Sequence, residues 1–530
     1  MSGSRNLFPP FIKGGIGTVF LTTILSGCIM VGPDYHRPEM KGQPQKWDKA
    51  ANISGDQKAG FTYEGEVDLK WWRQFNDQIL NNLIEGLGKQ NLDIQEAATR
   101  ISQARGQLKV VAAAGMPNVN WAGSYSWQQQ SEKGMLSMVE AKPDADLQFQ
   151  LYSNIGQAAW DLDLFGMIRR SVEAGKADIA AVEAARKAVV LASLSDLVDS
   201  YMRLRGVQEQ LNYTEEHLQL VKRDLNLVLQ RQKEGASNSL EVAQARGEVE
   251  KTKSELPPLK KAEAALINAI GYLLALPPRQ LEKDLLPRTG QPAAPISVGV
   301  GLPSTLAQRR PDIMEAEAKL HAATALVGSA KAAFYPDINL VGNLGTQSLS
   351  ATDFFMSGAK YFDVGPTVTI PIFQGGRLSG TLKLRKSQQK EAALEFRRVV
   401  LNAWREVDDA VTDLAHVQAR YDDLKETVHQ NQIAVSAARE RYKEGAVPFL
   451  EVDRAEALLL ANAILLAESR TETNTATVNL YRALGGGWQT LQTANDSASD
   501  TTQNKTRNIF QAQPNDLHKM QSVQAPQKLN

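Results

Sequence analysis

The chain has 530 residues, with 59 basic and 59 acidic side chains, 43% hydrophobic residues and 7% aromatic ones. Such balance offers no broad field of one sign, which argues against nucleic acid as a partner. A single cysteine, Cys28, excludes an intramolecular disulfide and a multi-cysteine zinc site.

Residues 1–27 read as a signal peptide. Arg5 and Lys13 precede the apolar run "GGIGTVFLTTILSG", which is shorter than the about 20 residues a permanent spanning helix needs. Leu25-Ser26-Gly27 before Cys28 resemble the bacterial lipobox, whose cysteine is lipidated and becomes the new N-terminus. Each buried acyl CH₂ contributes about 0.8 kcal/mol, so three chains hold a protein on a membrane durably. Ile29 rather than aspartate follows, which by the lipoprotein sorting rule points to the outer membrane. Residues 28–75 form an N-terminal anchor segment, and the covalent lipid at Cys28 is the one non-protein group expected; no cofactor is.

Beyond the anchor the chain contains one plan twice, in a first repeat at 76–275 and a second at 306–488, joined by a linker at 276–305. "AAAGMPNVNWAGS" recurs as "KAAFYPDINLVGN", "WDLDLFGMIRRS" as "VTIPIFQGGRLS", and "RQKEGASNSLEVAQAR" as "RYKEGAVPFLEVDRAE". The landmarks keep their order, which marks a tandem duplication.

Each repeat reads as helix, strand, strand, long helix, shorter helix. In the first, "NVNWAGSYSW" sets Val119, Trp121, Tyr125 and Trp127 on one face and Asn118, Asn120, Ser124 and Ser126 on the other. In the second, "YFDVGPTVTIPIF" alternates Phe362, Val364, Val368, Ile370 and Ile372 with Asp363, Thr367 and Thr369. Period two over about ten residues suits a membrane-spanning strand, although an edge of a soluble sandwich alternates in the same way.

Long helices separate the strands. Phe396, Val400, Ala403, Val407, Ala410, Leu414, Val417, Tyr421, Leu424 and Val428 follow at spacings of four and three, and Leu197, Leu204, Leu211, Leu218 and Leu225 recur every seven. These are coiled-coil seams, and a helix of about 65 residues is roughly 100 Å long. Shorter helices around 76–114 and 240–271 match the long one in summed length. Pro257 and Pro258 are expected to break the second of them.

Two strand pairs give four strands per chain, whereas a closed barrel needs about eight or more and lipid tolerates no open strand edge. A barrel must therefore be shared between chains. Eight strands leave no open pore and twelve leave a channel.

"VGPDYHRP" after Cys28, "GLPSTLAQRRPDIMEAEAKL" at Gly301, "AKAAFYPDINL" at Ala330, "PIFQGGRL" at Pro371 and "NLYRALGGGW" at Asn479 resemble the marker motifs of the TolC/OprM outer-membrane factor family, in its NodT-type lipoprotein branch. The resemblance implies a mainly α protein with membrane β: a trimeric 12-stranded outer-membrane β-barrel continued by an α-helical coiled-coil periplasmic barrel. It implies the exit duct of a tripartite efflux pump for small molecules, with drugs, solvents, metal ions and signalling molecules all open as cargo. The partners it implies are two further copies in a homotrimer, a periplasmic adaptor (membrane fusion) protein, an inner-membrane resistance-nodulation-division (RND) transporter and outer-membrane lipid.

Family resemblance also assigns roles to the helix-to-helix turns. Both turns carry Lys-Glu-Gly, so Gly235 and Gly445 become the adaptor contacts. Leu450, Glu451, Asp453 and Arg454, with first-repeat equivalents Leu240 and Glu241, become the periplasmic gate. Matched without a gap, the family's second acid falls on Arg454, which puts the usual acidic ring in doubt, although Asp453 lies adjacent. Met167 likewise replaces a family arginine, with Arg169 and Arg170 close behind.

An enzyme is not expected. The six histidines show no metal-ligand spacing, and no nucleophile elbow, P-loop or dinucleotide fingerprint follows a strand. Neighbouring acids such as Asp408-Asp409 read as the solvated face of a coiled coil, and "GGGW" at Gly485 as a chain reversal. A type I secretion duct and a scaffold lipoprotein without a pore are the alternatives. Residues 489–530 are polar, lack periodicity and read as a disordered tail.

Overall fold

The structure, a computed structural model, describes residues 30–38, 62–63, 65–129, 131, 148–235, 237–295 and 297–491. The signal peptide, Cys28 and all but the first three residues of the tail lie outside the described residues.

In chain order the elements are β1 (Thr62–Tyr63), α1 (Gln78–Gln90), α2 (Leu92–Ala113), β2 (Asn118–Gln129), β3 (Gln148–Asp161), α3 (Met167–Lys233), α4 (Ser239–Leu273), α5 (Glu282–Leu285), β4 (Val298–Gly299), α6 (Leu306–Arg309), α7 (Pro311–Ala332), β5 (Asp337–Ser348), β6 (Lys360–Thr369), α8 (Arg377–Lys443) and α9 (Phe449–Ala483). The duplication is visible in their lengths. Helices α2 and α7 have 22 residues each, α3 and α8 have 67, and α4 and α9 have 35. The α2/α7 and β2/β5 pairs start 219 residues apart, and the α3/α8 and α4/α9 pairs start 210 apart.

Two compact units divide the chain, and each draws on both repeats. One holds residues 1–38, 102–181 and 316–396; the other holds 39–101, 182–315 and 397–530.

The first unit contains a four-stranded antiparallel sheet in the order β2-β3-β5-β6. Its register puts Trp121 opposite Gly156, Gly156 opposite Leu344 and Leu344 opposite Phe362. Residues directly opposite share a face, so Val119, Trp121, Tyr125, Trp127, Leu340, Leu344, Phe362, Val364 and Val368 form one apolar side. Asn120, Ser124, Ser126, Gln157, Asn343, Asp363 and Thr367 lie on the other, together with Phe149, Leu151 and Ile155 of β3 and Val341 of β5. The alternation read from β2 and β6 holds in those outer strands but not in β3, which places Gln148, Gln150 and Asn154 on the apolar side; β6 ends at Thr369 and leaves Ile370 and Ile372 beyond it.

An N-terminal segment, 30–38, lies against this unit's helices. Arg170 of α3, almost fully buried, bonds Asp34 at 2.6 Å and Glu173 at 2.8 Å. Tyr35 stacks on His321 of α7 at 4.5 Å, and Arg37 pairs with Glu317 at 3.0 Å. Arg169 holds the loop before α3: its backbone N–H and guanidinium bond the Asp163 carboxylate and its Nη2 bonds the carbonyls of Asp163 and Leu164.

In the second unit the leucine seam is buried at Leu197, Leu204, Leu211 and Leu218, and the α8 seam at Val400, Ala403, Val407, Leu414 and Val428. Asp408 and Asp409 are exposed, as the heptad phase requires. "GGGW" is a chain reversal after α9. The Trp71 indole donates to the Gly486 carbonyl at 3.2 Å and stacks on Tyr481 at 4.9 Å, while Trp488 donates to the Arg309 carbonyl at 3.0 Å. A Cβ on Gly485 would sit 2.9 Å from the Arg309 carbonyl oxygen, and its φ of +71° already favours glycine.

One expectation fails. Helix α4 runs unbroken through Pro257 and Pro258. Proline's fixed φ is compatible with a helix; what it removes is a donor, so two bonds are lost and the remainder hold. Leu256, packed against Leu218, Val221 and Val249, helps keep the segment on its neighbour.

Candidate functional site

The two helix-to-helix turns lie in the second unit. Helix α3 ends at Lys233 and Gly235 has a φ of +75°; α8 ends at Lys443 and Gly445 has a φ of +72°. Both glycines are left-handed residues that stop a helix. Gly235 N–H donates to the Gln232 carbonyl at 3.1 Å, Gly445 N–H to Tyr442 at 3.0 Å, and Ala446 N–H reaches back to Arg441 at 2.8 Å. A Cβ on either glycine would meet nothing within 4 Å, so both turn tips are open.

Beneath the tips one apolar cluster joins four helices. It contains Val228 of α3, Val242 and Ala245 of α4, Tyr442 of α8, and Phe449 and Val452 of α9. Tyr442 meets Phe449 edge to face at 5.7 Å, and the Arg231 guanidinium covers the Tyr442 ring at 4.5 Å. The cluster fixes the direction in which α4 and α9 begin.

At the start of α4, Asn238 caps the helix by accepting from the Glu241 N–H at 3.0 Å, and the Ser237 hydroxyl donates to the Glu241 carboxylate at 2.5 Å. Leu240 is 64% exposed. At the start of α9, Pro448 takes the cap position and supplies no side-chain acceptor. There Leu450 is half-buried, while Glu451 is exposed with Arg454 beside it at 3.5 Å. The two repeats thus differ: Glu241 is held by a local hydroxyl, and Glu451 by Arg454.

Asp453 does not join Glu451 on the exposed side. It is half-buried, and burial together with the charge of Glu248 on α4 raises its pKa. It belongs to a polar cluster under the turns that sequence reasoning missed. Glu456 of α9 is only 4% exposed and accepts from Arg439 of α8 at 2.7 and 2.6 Å. Burial, with the nearby Asp224 of α3, pushes the Glu456 pKa up to about 7 against the pull of Arg439. Lys251 bonds Glu248 at 3.0 Å, and burial holds the pKa of His217, 3.8 Å from Glu248, below its ordinary value. Among the described residues no three His, Asp or Glu side chains are arranged to hold a metal ion, and no helix is long and apolar enough to cross a membrane.

The outer membrane efflux protein family model matches residues 83–272 and 302–486. Cation efflux system protein CusC of Escherichia coli O6:H1 is 32% identical over 470 residues, spanning 88% of this chain and 97% of its own. Toluene efflux pump outer membrane protein TtgC of Pseudomonas putida is 31% identical over 482 residues, spanning 90% of this chain and 97% of its own. Among solved structures, the outer-membrane channel OprN superposes with a TM-score of 0.79 at 30% identity, covering 87% of this chain and 100% of that one. With both repeats matched, the chain belongs to the outer membrane efflux protein family.

Proposed function

We propose that three copies of this chain form the outer-membrane exit duct of a tripartite RND-type efflux pump, with a periplasmic adaptor at the Lys-Glu-Gly turns and an inner-membrane transporter supplying the cargo. The observation that carries this reading is the sheet. Val119, Trp121, Trp127, Leu344, Phe362 and Val364 are each at least 66% exposed on one side, an apolar band that lipid covers and water does not. On the opposite side β2 and β6 present Asn120, Ser124, Ser126, Asp363 and Thr367, polar side chains suited to a water-filled lumen, alongside Phe149, Leu151, Ile155 and Val341 of the two middle strands. Strands β2 and β6 have no partner on their outer edges among the described residues, and neighbouring copies supply the pairing that lipid demands.

In this assembly Gly235 and Gly445 meet the adaptor, and Leu240, Glu241, Leu450, Glu451 and Arg454 surround the periplasmic mouth. Cys28 carries the lipid, which is auxiliary once a shared barrel spans the membrane. Substrate choice belongs to the transporter: relatives named for cation efflux and for toluene efflux differ by one percentage point in identity to this chain.

Single-channel recording in planar bilayers tests the duct. The wild-type protein is expected to give a low-conductance state, and Leu450→Ala a higher one because a constricting side chain is shortened. A variant conductance equal to wild type removes Leu450 from the gate, and no channel activity from either protein overturns the duct.

A further inference from the structure

A basic patch at the start of α8 has no task in conduction through the duct. From Arg377 to Lys390 the helix carries five basic side chains and no acid, whereas the matching stretch of α3, residues 167–180, carries three basic and two acidic ones. Lys383, Lys386 and Lys390 are exposed, and their spacing of three and four puts them on one side of the helix. None of the three makes a hydrogen bond or ion pair with another of the described residues. Lys386 and Lys390 line a groove of about 400 Å³ together with Leu320 and Thr324 of α7 and with Asp34 and His36. Asp34 is the one acid on its wall, and Arg170 already holds it at 2.6 Å. The groove is therefore short of negative charge.

Contacts of the N-terminal segment give the side and the depth of this groove. The segment runs antiparallel along α7. A Cβ on Gly32 would fall 2.3 Å from the Gly328 Cα, Tyr35 stacks on His321, and Arg37 pairs with Glu317. Five steps of extended chain and eleven of helix each span about 16 Å. Cys28 is four residues before Gly32. A cysteine whose acyl chains enter the leaflet stands outside the duct wall, so the groove opens on the outer surface. Depth follows from Gln389, which donates to Thr324 at 3.1 Å. Thr324 lies eight residues before the end of α7 at Ala332, about 12 Å at 1.5 Å per residue. Helix α7 leads into the sheet and α8 leads away from it. Lys383, Lys386 and Lys390 accordingly lie roughly 3, 8 and 14 Å below the end of α7. Between helices and strands Phe165 stacks on Tyr335 at 4.8 Å and Phe373 is 89% exposed, and aromatic rings collect at membrane–water interfaces. Headgroups take up about 6 Å on each side of the hydrocarbon, and their field reaches about 8 Å further at physiological salt. The three lysines fall within that depth.

We propose that Lys386 and Lys390, with His36 beside them and Lys383 nearer the membrane, bind the anionic headgroup of a phospholipid in the periplasmic leaflet, such as phosphatidylglycerol. The site rests on the duct reading and on lipid at Cys28, which together put this side of α8 outside the barrel and next to the leaflet. Ammonium groups on flexible stems suit a phosphate as point charges and reach upward to it. The covalent lipid of Cys28 and the bound phospholipid then occupy neighbouring places in one leaflet, joined through the segment that holds Asp34 and His36.

Electron spin resonance of the purified full-length protein in phosphatidylcholine nanodiscs tests the site, with a trace of spin-labelled phosphatidylglycerol or spin-labelled phosphatidylcholine as the probe. Wild type is expected to restrict the anionic label more than the neutral one, by up to about fivefold, the factor one lysine at a membrane surface carries, and less as salt rises. Lys383→Gln, Lys386→Gln and Lys390→Gln combined are expected to bring that ratio close to one, and arginine at the same three positions to keep it. A ratio unchanged in the glutamine variant overturns the site. So does a ratio near one in wild type; if the lysines then govern co-sedimentation with purified peptidoglycan, the patch belongs to that polymer. Loss of the preference to inorganic phosphate, but not to chloride of equal ionic strength, assigns the patch to free anions and also overturns the proposal. Channel recordings on the same preparations separate the two readings: absence of channels contradicts the duct, whereas the label ratio alone decides the site.

Discussion

Arg310 shows how one residue of a recognisable motif earns its place. Its guanidinium, 8% exposed, bonds Asp312 at 2.7 Å, Glu406 of α8 at 2.6 Å and the Ala483 carbonyl at the end of α9 at 2.8 Å. It therefore ties the start of α7 to two other helices. Arg310→Met would remove the cation from two carboxylates, which keep only the Ile313 N–H and the Asn402 amide as donors, and the side-chain donor from the Ala483 carbonyl. Because Asp312 and Glu406 remain 39% and 38% exposed, the expected loss is about 3 kcal/mol, the low end for a broken buried pair. Denaturant unfolding in detergent measures it; a loss under about 0.5 kcal/mol would reduce the contact to that of an ordinary surface pair. The sequence marked this stretch as a motif but could not say what it touches, since Glu406 and Ala483 lie far along the chain. The same holds for Arg170 and Asp34. Pairings across helices depend on which helices become neighbours, and no local pattern encodes that.

Among the elements, periodicity made most of the fold legible. The seam from Phe396 to Val428 requires only knowledge of which side chains are apolar, and the structure buries its members or half-buries them. The two faces of β2 and β6 were legible for the same reason, because a strand's period of two is set by its own backbone. The register then joined them through β3 and β5. Helix α4 was misread because a proline pair is a local signal that tertiary packing overrides. Its continuity has a measurable consequence: interior prolines each forfeit a backbone hydrogen bond. Replacing Pro257 and Pro258 together by alanine is expected to stabilise the protein by about 1 kcal/mol or more, read as a higher unfolding midpoint. Destabilisation instead would mean that α4 depends on the local geometry the prolines impose. The turns were legible as Lys-Glu-Gly, and both glycines adopt the left-handed conformation that a sharp helix end requires. The chemistry around the turns was only partly legible. Asp453 was grouped with Glu451 by position, yet two residues on, about 200° around the helix, it lies near Glu248 and off the exposed side.

At the scale of the whole molecule, duplication supplies two strand pairs and membership of the outer membrane efflux protein family places the chain in the outer membrane with its helices extending into the periplasm. One chain still cannot close a barrel, because β2 and β6 each leave an outer edge unpaired among the described residues. The central claim is that β2 of one copy pairs with β6 of the next until three copies close the ring. Cysteine pairs scanned along β2 and β6, introduced into a functional protein and oxidised in intact outer membranes, test it directly. Between-chain crosslinks are expected at registers where strand edges meet, giving species of two and three chains and no larger. A ladder that stops at two chains, extends beyond three, or fails to form at any register would contradict the shared twelve-stranded barrel.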